Sequence, residues 1–128
     1  MQHVVILDDE DYRQDFFKES LSGVLGIEIH QYLEPKAFMR DIEAKKFPDI
    51  ALLFLDNMFL DENDEPLAID GTYVAEWLFY RNKDIHIQQV FITTRDDDAS
   101  QAIYEMLKRN PNIDDAIKAP YGSSIWSR

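Results

Sequence analysis

The chain has 128 residues, of which 25 are acidic and 13 basic, giving a net charge of −12, and it contains no cysteine. That length holds one domain with a real core, while the charge repels nucleic acid and anionic lipid. Disulfides, thiolate metal sites and cysteine nucleophiles are excluded, and no apolar run approaches a membrane span, so a cytoplasmic protein with no membrane and no direct nucleic-acid partner is expected.

Apolar runs of strand length recur at 4–7, 27–32, 50–55, 87–93 and 115–119. After the first, Tyr12, Phe16, Phe17, Leu21 and Val24 repeat at steps of three and four, predicting a helix over roughly 10–24 that Gly26 stops. Pro35 opens a second helix with Phe38, Met39 and Ile42 on one face, and Pro48 closes the connection that follows. A third helix follows Gly71, with Val74, Ala75, Leu78 and Phe79 inward. A fourth begins in Asp96-Asp97-Asp98, where carboxylates suit a helix N-terminus; it is expected to bury Ala99, Ala102, Ile103, Met106 and Leu107 and to stop at Asn110-Pro111-Asn112.

Strand and helix alternate five times, and the third strand is apolar at every position, as a strand covered on both faces must be. The reading is an α/β fold, a doubly wound five-stranded parallel sheet in one domain spanning 1–128. One connection is out of proportion. Residues 57–70 are acidic and far longer than the usual two to six or so between a strand and a helix. Apolar stretches flank the polar 61–65, so a small hairpin flap is expected, with Pro66 limiting its ladder.

In open α/β sheets ligands sit beyond the carboxyl ends of the strands. The first strand ends in Asp8-Asp9-Glu10, the third in Asp56-Asn57, the fourth in Thr93-Thr94 and the fifth near Lys118. If the first and third strands are neighbours, Asp8, Asp9 and Asp56 converge, and their repulsion calls for a proton or a cation. An all-oxygen site favours Mg²⁺. A carboxylate nucleophile, a cation, a hydroxyl and an ammonium suit phosphoryl transfer, with Asp56 attacking phosphorus, Thr93 donating a hydrogen bond and Lys118 neutralising phosphoryl oxygens. His3, His30 and His86 have no metal-ligand spacing, so no zinc role is expected.

Ile6-Leu7-Asp8-Asp9-Glu10, Leu53-Phe54-Leu55-Asp56, Gly71, Phe91-Ile92-Thr93 and Lys118 together resemble the signature of response-regulator receiver domains. The resemblance implies a flavodoxin-like sheet of order 2-1-3-4-5 and a phosphoacceptor at Asp56. It implies Mg²⁺ held by Asp9, Asp56 and the Met58 carbonyl with Asp8 acting through water, a histidine kinase or phosphotransfer protein as donor, and a downstream protein target, with a dimer as one further possibility. Such a domain catalyses only its own phosphorylation and dephosphorylation.

The chain departs from that pattern in four places. The family's Met-Pro pair is Met58-Phe59 here, and Gly71 lies fifteen residues beyond the acceptor rather than about eight. The lysine precedes Ala119-Pro120, so aligning the prolines instead would put Ala119 in its place. The aromatic switch position falls on Asp115 or Ala116, and Thr94 replaces a small residue. Only eight residues follow Pro120, too few for a full last helix, which leaves Ile125 and Trp126 near apolar surface. Two other functions stay open: a receiver-like docking module that no longer uses phosphate, and a phosphatase of the haloacid-dehalogenase kind. The phosphatase is disfavoured because Met58 stands where its second aspartate belongs.

Overall fold

The computed structural model describes residues 1–82 and 84–126. Five strands, β1 (Gln2–Leu7), β2 (Ile27–Tyr32), β3 (Asp49–Leu55), β4 (His86–Ile92) and β5 (Ile113–Lys118), alternate with four helices: α1 (Asp11–Ser20), α2 (Pro35–Glu43), α3 (Gly71–Tyr80) and α4 (Asp97–Arg109). The sheet is parallel with order β2-β1-β3-β4-β5, as the resemblance implies. The reversal of direction falls between β1 and β3, where Val4 to Leu7 pair in step with Leu52 to Leu55 and deliver Asp8 and Asp56 side by side.

Successive side chains in a strand point to opposite faces, and both faces of β3 are covered. Leu53 and Leu55 enter a core built with Phe38 and Ile42 of α2, Val74 and Leu78 of α3, and Ile103 and Leu107 of α4. Phe54 faces the other way and stacks on Phe17 of α1 with ring centroids 4.7 Å apart.

Several boundaries differ from the sequence expectation. Helix α1 ends at Ser20, not near 24, because the backbone turns over Leu21 to Val24 through hydrogen bonds that close single turns; Val24 is half exposed and Tyr12 is exposed. On α3 it is Trp77 that is buried, whereas Phe79 is half-buried. On α4 Ala102 faces solvent and Ser100 is buried, a shift of the apolar face toward Ile103 and Leu107. Strand β5 starts two residues earlier than expected, at Ile113.

The connection 56–70 contains the expected flap. Leu60 and Pro66 form one antiparallel bridge, Leu67 N–H bonds Phe59 O at 2.7 Å, and Asp61 Oδ1 accepts the N–H groups of Asn63 and Glu65. Proline has no N–H to extend the ladder, so the pairing stops there. After β5, among the described residues, the chain makes only a short 3₁₀ turn, Ser124–Trp126, consistent with the shortened last helix. Trp126 packs on Phe16, Phe17, Phe54 and Phe91 and donates its indole N–H to Ala119 O, while Ile125 is exposed. No described helix is long and apolar enough to cross a membrane.

Candidate functional site

Backbone pairing brings the acidic residues together. Asp56 N–H bonds Leu7 O and Asp8 N–H bonds Tyr32 O, so the turns leaving β1 and β3 are stitched to their neighbours. Gln14 of α1 strengthens this corner. Its buried amide group lies within hydrogen-bond distance of Ile6 O, Asp8 O and Tyr32 O, fixing the helix to the carboxyl ends of β1 and β2. Sequence reasoning passes over Gln14, since a glutamine inside an amphipathic helix carries no positional signal.

Asp8 and Asp56 are 1% and 6% exposed, and together with Asp9 they present carboxylate oxygens within 4.8 Å of one another. Burial, then the charge of Asp56, pushes Asp8 up from 3.8 to about 7, despite the opposing Glu10 N–H and Arg13. Asp56 is also raised, chiefly by burial and further by Asp9 and Glu10, against the pull of the Asn57 N–H and Arg13.

The cation at this cluster comes from α1. Arg13 places Nε 3.1 Å from Asp8 Oδ1 and Nη2 3.5 Å from Asp9 Oδ1 and 3.4 Å from Asp56 Oδ2. From sequence alone Arg13 is an ordinary (i, i+4) partner of Asp9 on a helix surface; only the approach of β3 turns that pair into a three-carboxylate clamp.

Four buried side-chain oxygens are without a protein partner among the described residues, Asp8 Oδ2, Thr93 Oγ1, Ser100 Oγ and Ser123 Oγ, and the first two stand directly at the ends of β1 and β4. A carboxylate oxygen wanting a cation and a hydroxyl wanting an acceptor fit Mg²⁺ and a phosphoryl oxygen. The all-oxygen donor set matches that ion.

The turn after Asp56 is clamped from the far side by α3. Gly71 N–H bonds Asn57 O at 2.8 Å, and Asn57 Oδ1 accepts both the N–H and the hydroxyl of Thr72. A Cβ on Gly71 would lie 2.8 Å from Asn57 Cα and closer still to the Asp56 carbonyl, so only glycine allows this approach. The excursion 57–70 therefore leaves and returns at the same point. Its flap is tied to the acidic cluster by Leu60 N–H, which donates to Asp9 Oδ2 at 2.9 Å.

No family model matches this chain, and no curated protein matches its sequence. Solved structures do. RcsB from Salmonella enterica serovar Typhimurium, bound to promoter rprA with the phosphomimetic BeF₃⁻, is similar over 95% of this chain at TM-score 0.63 and 15% identity. The BeF₃-activated DrrB receiver domain is similar over 98% at TM-score 0.61 and 17% identity, with 90% of that domain covered. A CheY-like receiver domain protein from Methanospirillum hungatei gives 95% coverage of this chain and 84% of its own, at TM-score 0.59 and 16% identity. The chain has the receiver-domain fold. It spans 61% of the promoter-bound RcsB chain and 48% of the DrrB response regulator from Thermotoga maritima.

Within the receiver fold the expected site residues divide. Asp8, Asp9 and Asp56 come together. Thr93 is 3% exposed, with its N–H on Leu55 O, which holds the end of β4 against β3. Thr94 Oγ1 accepts the Asp96 N–H at the entrance to α4, a turn-capping role. The Met58 side chain is exposed, leaving only its backbone as a candidate ligand.

Lys118 departs from the expectation. Alternation along β5 sends it, with Ala116, to the α4 side, where Nζ donates to Gln101 Oε1 and lies 5.2 Å over the Tyr104 ring. It is exposed and makes no described contact with the carboxylates. Ala119, the residue the alternative alignment selects, is fully buried and bonds Ile92 O through its N–H. Among the described residues the cation beside the three carboxylates is the Arg13 guanidinium of α1.

Histidine spacing also misleads. His3 and His30, 27 positions apart, meet across β1 and β2 at 3.0 Å, because strand pairing rather than sequence separation decides their distance.

Proposed function

We propose that this chain is a phosphoacceptor receiver domain of a two-component signalling system, accepting a phosphoryl group from a histidine kinase or phosphotransfer protein onto Asp56 and signalling by protein contact. The observation that carries the reading is the buried pair Asp8–Asp56 with partnerless Asp8 Oδ2 and Thr93 Oγ1 beside it. Burying two carboxylates next to each other costs stability, and a phosphoryl-transfer site is the function that gives such a cost a purpose.

An Asp56 oxygen forms the O–P bond as the donor's N–P bond breaks. Thr93 donates its hydroxyl to a phosphoryl oxygen. Bound Mg²⁺, held by Asp9, Asp56 and the Met58 carbonyl with Asp8 through water, would supply positive charge against the phosphoryl oxygens. Arg13, which spans Asp8, Asp9 and Asp56, yields Asp56 to the incoming group and neutralises the charge that Lys118 was expected to meet. The domain turns over only its own aspartyl phosphate, and a cytoplasmic location suits such donors.

The test is incubation with Mg²⁺ and a small acyl-phosphate donor, followed by intact mass of wild type, Asp56→Asn and Asp56→Ala. One phosphoryl adduct in the wild type alone supports the reading. A specific observation favours a second reading, a docking module independent of phosphate: Arg13 already neutralises the carboxylates, and Lys118 is turned toward Gln101. Absence of any adduct under conditions where Mg²⁺ binds would select it.

A further inference from the structure

We propose that His3, Glu28 and His30 form a binding site for a divalent transition-metal ion, with zinc the ion their donors fit. The site lies at the amino end of the sheet. His3 stands five residues before Asp8 on β1, about 16 Å away at roughly 3.3 Å per residue, so it is separate from the acidic cluster.

Parallel pairing places the three donors on one face. His3 is the partner of Glu28, and Val5 is the partner of His30, so positions 3, 28 and 30 project to the same side of two adjacent strands. His3 Nδ1 is 3.0 Å from His30 Nε2 and 3.5 Å from Glu28 Oε2, and His30 Nε2 is 3.8 Å from that same oxygen. Ligands of tetrahedral zinc, each about 2.0–2.2 Å from the metal, stand about 3.4 Å apart. The observed triangle brackets that spacing. Two imidazoles and one carboxylate are a donor set that zinc and similar ions take, whereas Mg²⁺ and Ca²⁺ prefer oxygen alone.

The rings are held in place rather than splayed into water. Phe47, itself 2% exposed, packs against both, with centroids 4.6 Å from His30 and 5.5 Å from His3. The imidazole side chains are 18% and 12% exposed, and Glu28 is 53% exposed, which leaves the fourth coordination position on the solvent side. A single proton on His3 Nδ1 cannot serve His30 Nε2 and Glu28 Oε2 together, while one cation among the three satisfies all of them. A metal here would staple edge strand β2 to β1, with the open position free for water or for a donor from another molecule.

The experiment titrates Zn²⁺ into the protein by calorimetry in saturating Mg²⁺, which keeps the Asp8–Asp9–Asp56 carboxylates engaged, and repeats it with Co²⁺ followed by visible absorption. One ion per chain is expected, with d–d bands of tetrahedral intensity, and binding weakened by at least about 100-fold in His30→Gln and in His3→Gln. Asp56→Asn should retain full zinc affinity, which separates this site from the phosphoacceptor reading. On the wild type, ring resonances of His3 and His30 should shift on adding Zn²⁺ while those of His86, paired with Asp114, stay put. This last measurement needs no variant to fold. No zinc uptake, equal affinity in a folded His3→Gln/His30→Gln double variant, or a response confined to His86 would each overturn the proposal.

Discussion

The two faces of the sheet do different work. Toward α2, α3 and α4, 22 buried apolar residues among those described form one continuous core. Toward α1 the buried cluster among the described residues is Val4, Ile6, Phe17 and Phe54, with Phe16, Leu21, Phe91, Tyr121 and Trp126 packed at half-burial around an open groove. The thick face supplies stability. The thin face carries the helix whose first turns deliver Arg13 and Gln14 to the acidic corner, so the site rests on the side of the molecule with the least packing behind it.

Neighbouring residues of β3 put that contrast to the largest test. Leu53→Ala opens a cavity in the enclosed core and should cost about 4–5 kcal/mol; Phe54→Ala removes more atoms but should cost only about 2–3 kcal/mol, because the groove beside Trp126 can collapse or admit water. Urea unfolding of both variants decides it, and a Phe54 loss exceeding that of Leu53 would mean that the faces are equally supportive.

The acidic corner should show itself through pH. Between 3.8 and about 7 the folded metal-free protein keeps a proton on Asp8 that the unfolded chain has shed, so unfolding free energy falls as pH rises through this window, by up to about 4 kcal/mol. Denaturation with a chelator at pH 5 and pH 8 should find the protein more stable at pH 5, with most of the slope gone in Asp8→Asn. A curve rising over that range would show that Asp8 is ionised without difficulty.

A smaller effect separates Arg13 as clamp from Arg13 as bystander. Arg13→Gln removes a positive charge from the carboxylates and should tighten Mg²⁺ binding about tenfold, roughly 1.4 kcal/mol, by calorimetry. Unchanged affinity would mean that the guanidinium does not compete with the ion.

What was legible in the sequence follows from how local each signal is. The strand runs, the uniformly apolar β3 and the acids at strand ends all announce themselves within a few residues, and they point to a doubly wound parallel sheet; its order came from the resemblance, and with β1 beside β3 the meeting of Asp8, Asp9 and Asp56 follows. Helix α1 was drawn too long because Leu21 and Val24 continue the apolar period after the backbone has already turned. Arg13, Gln14 and the His3–His30 contact were invisible for the opposite reason: each gains its meaning only when a distant strand arrives beside it. Lys118 lay at the limit, since one residue of slip on an edge strand decides which face its side chain takes.

The way segment 57–70 closes on itself has a consequence for how the molecule can change. Its ends are joined at Asn57 and Gly71 directly after Asp56, so the sheet does not register how many residues lie between. Doubling such a loop costs only about 0.6 kcal/mol in closure entropy. The exposed tip 61–65 is thus an insertion port: sequence can be added, removed or exchanged there with little penalty, provided that Phe59 keeps its place in the core and Leu60 its bond to Asp9, and whatever is installed will hang beside the acidic cluster.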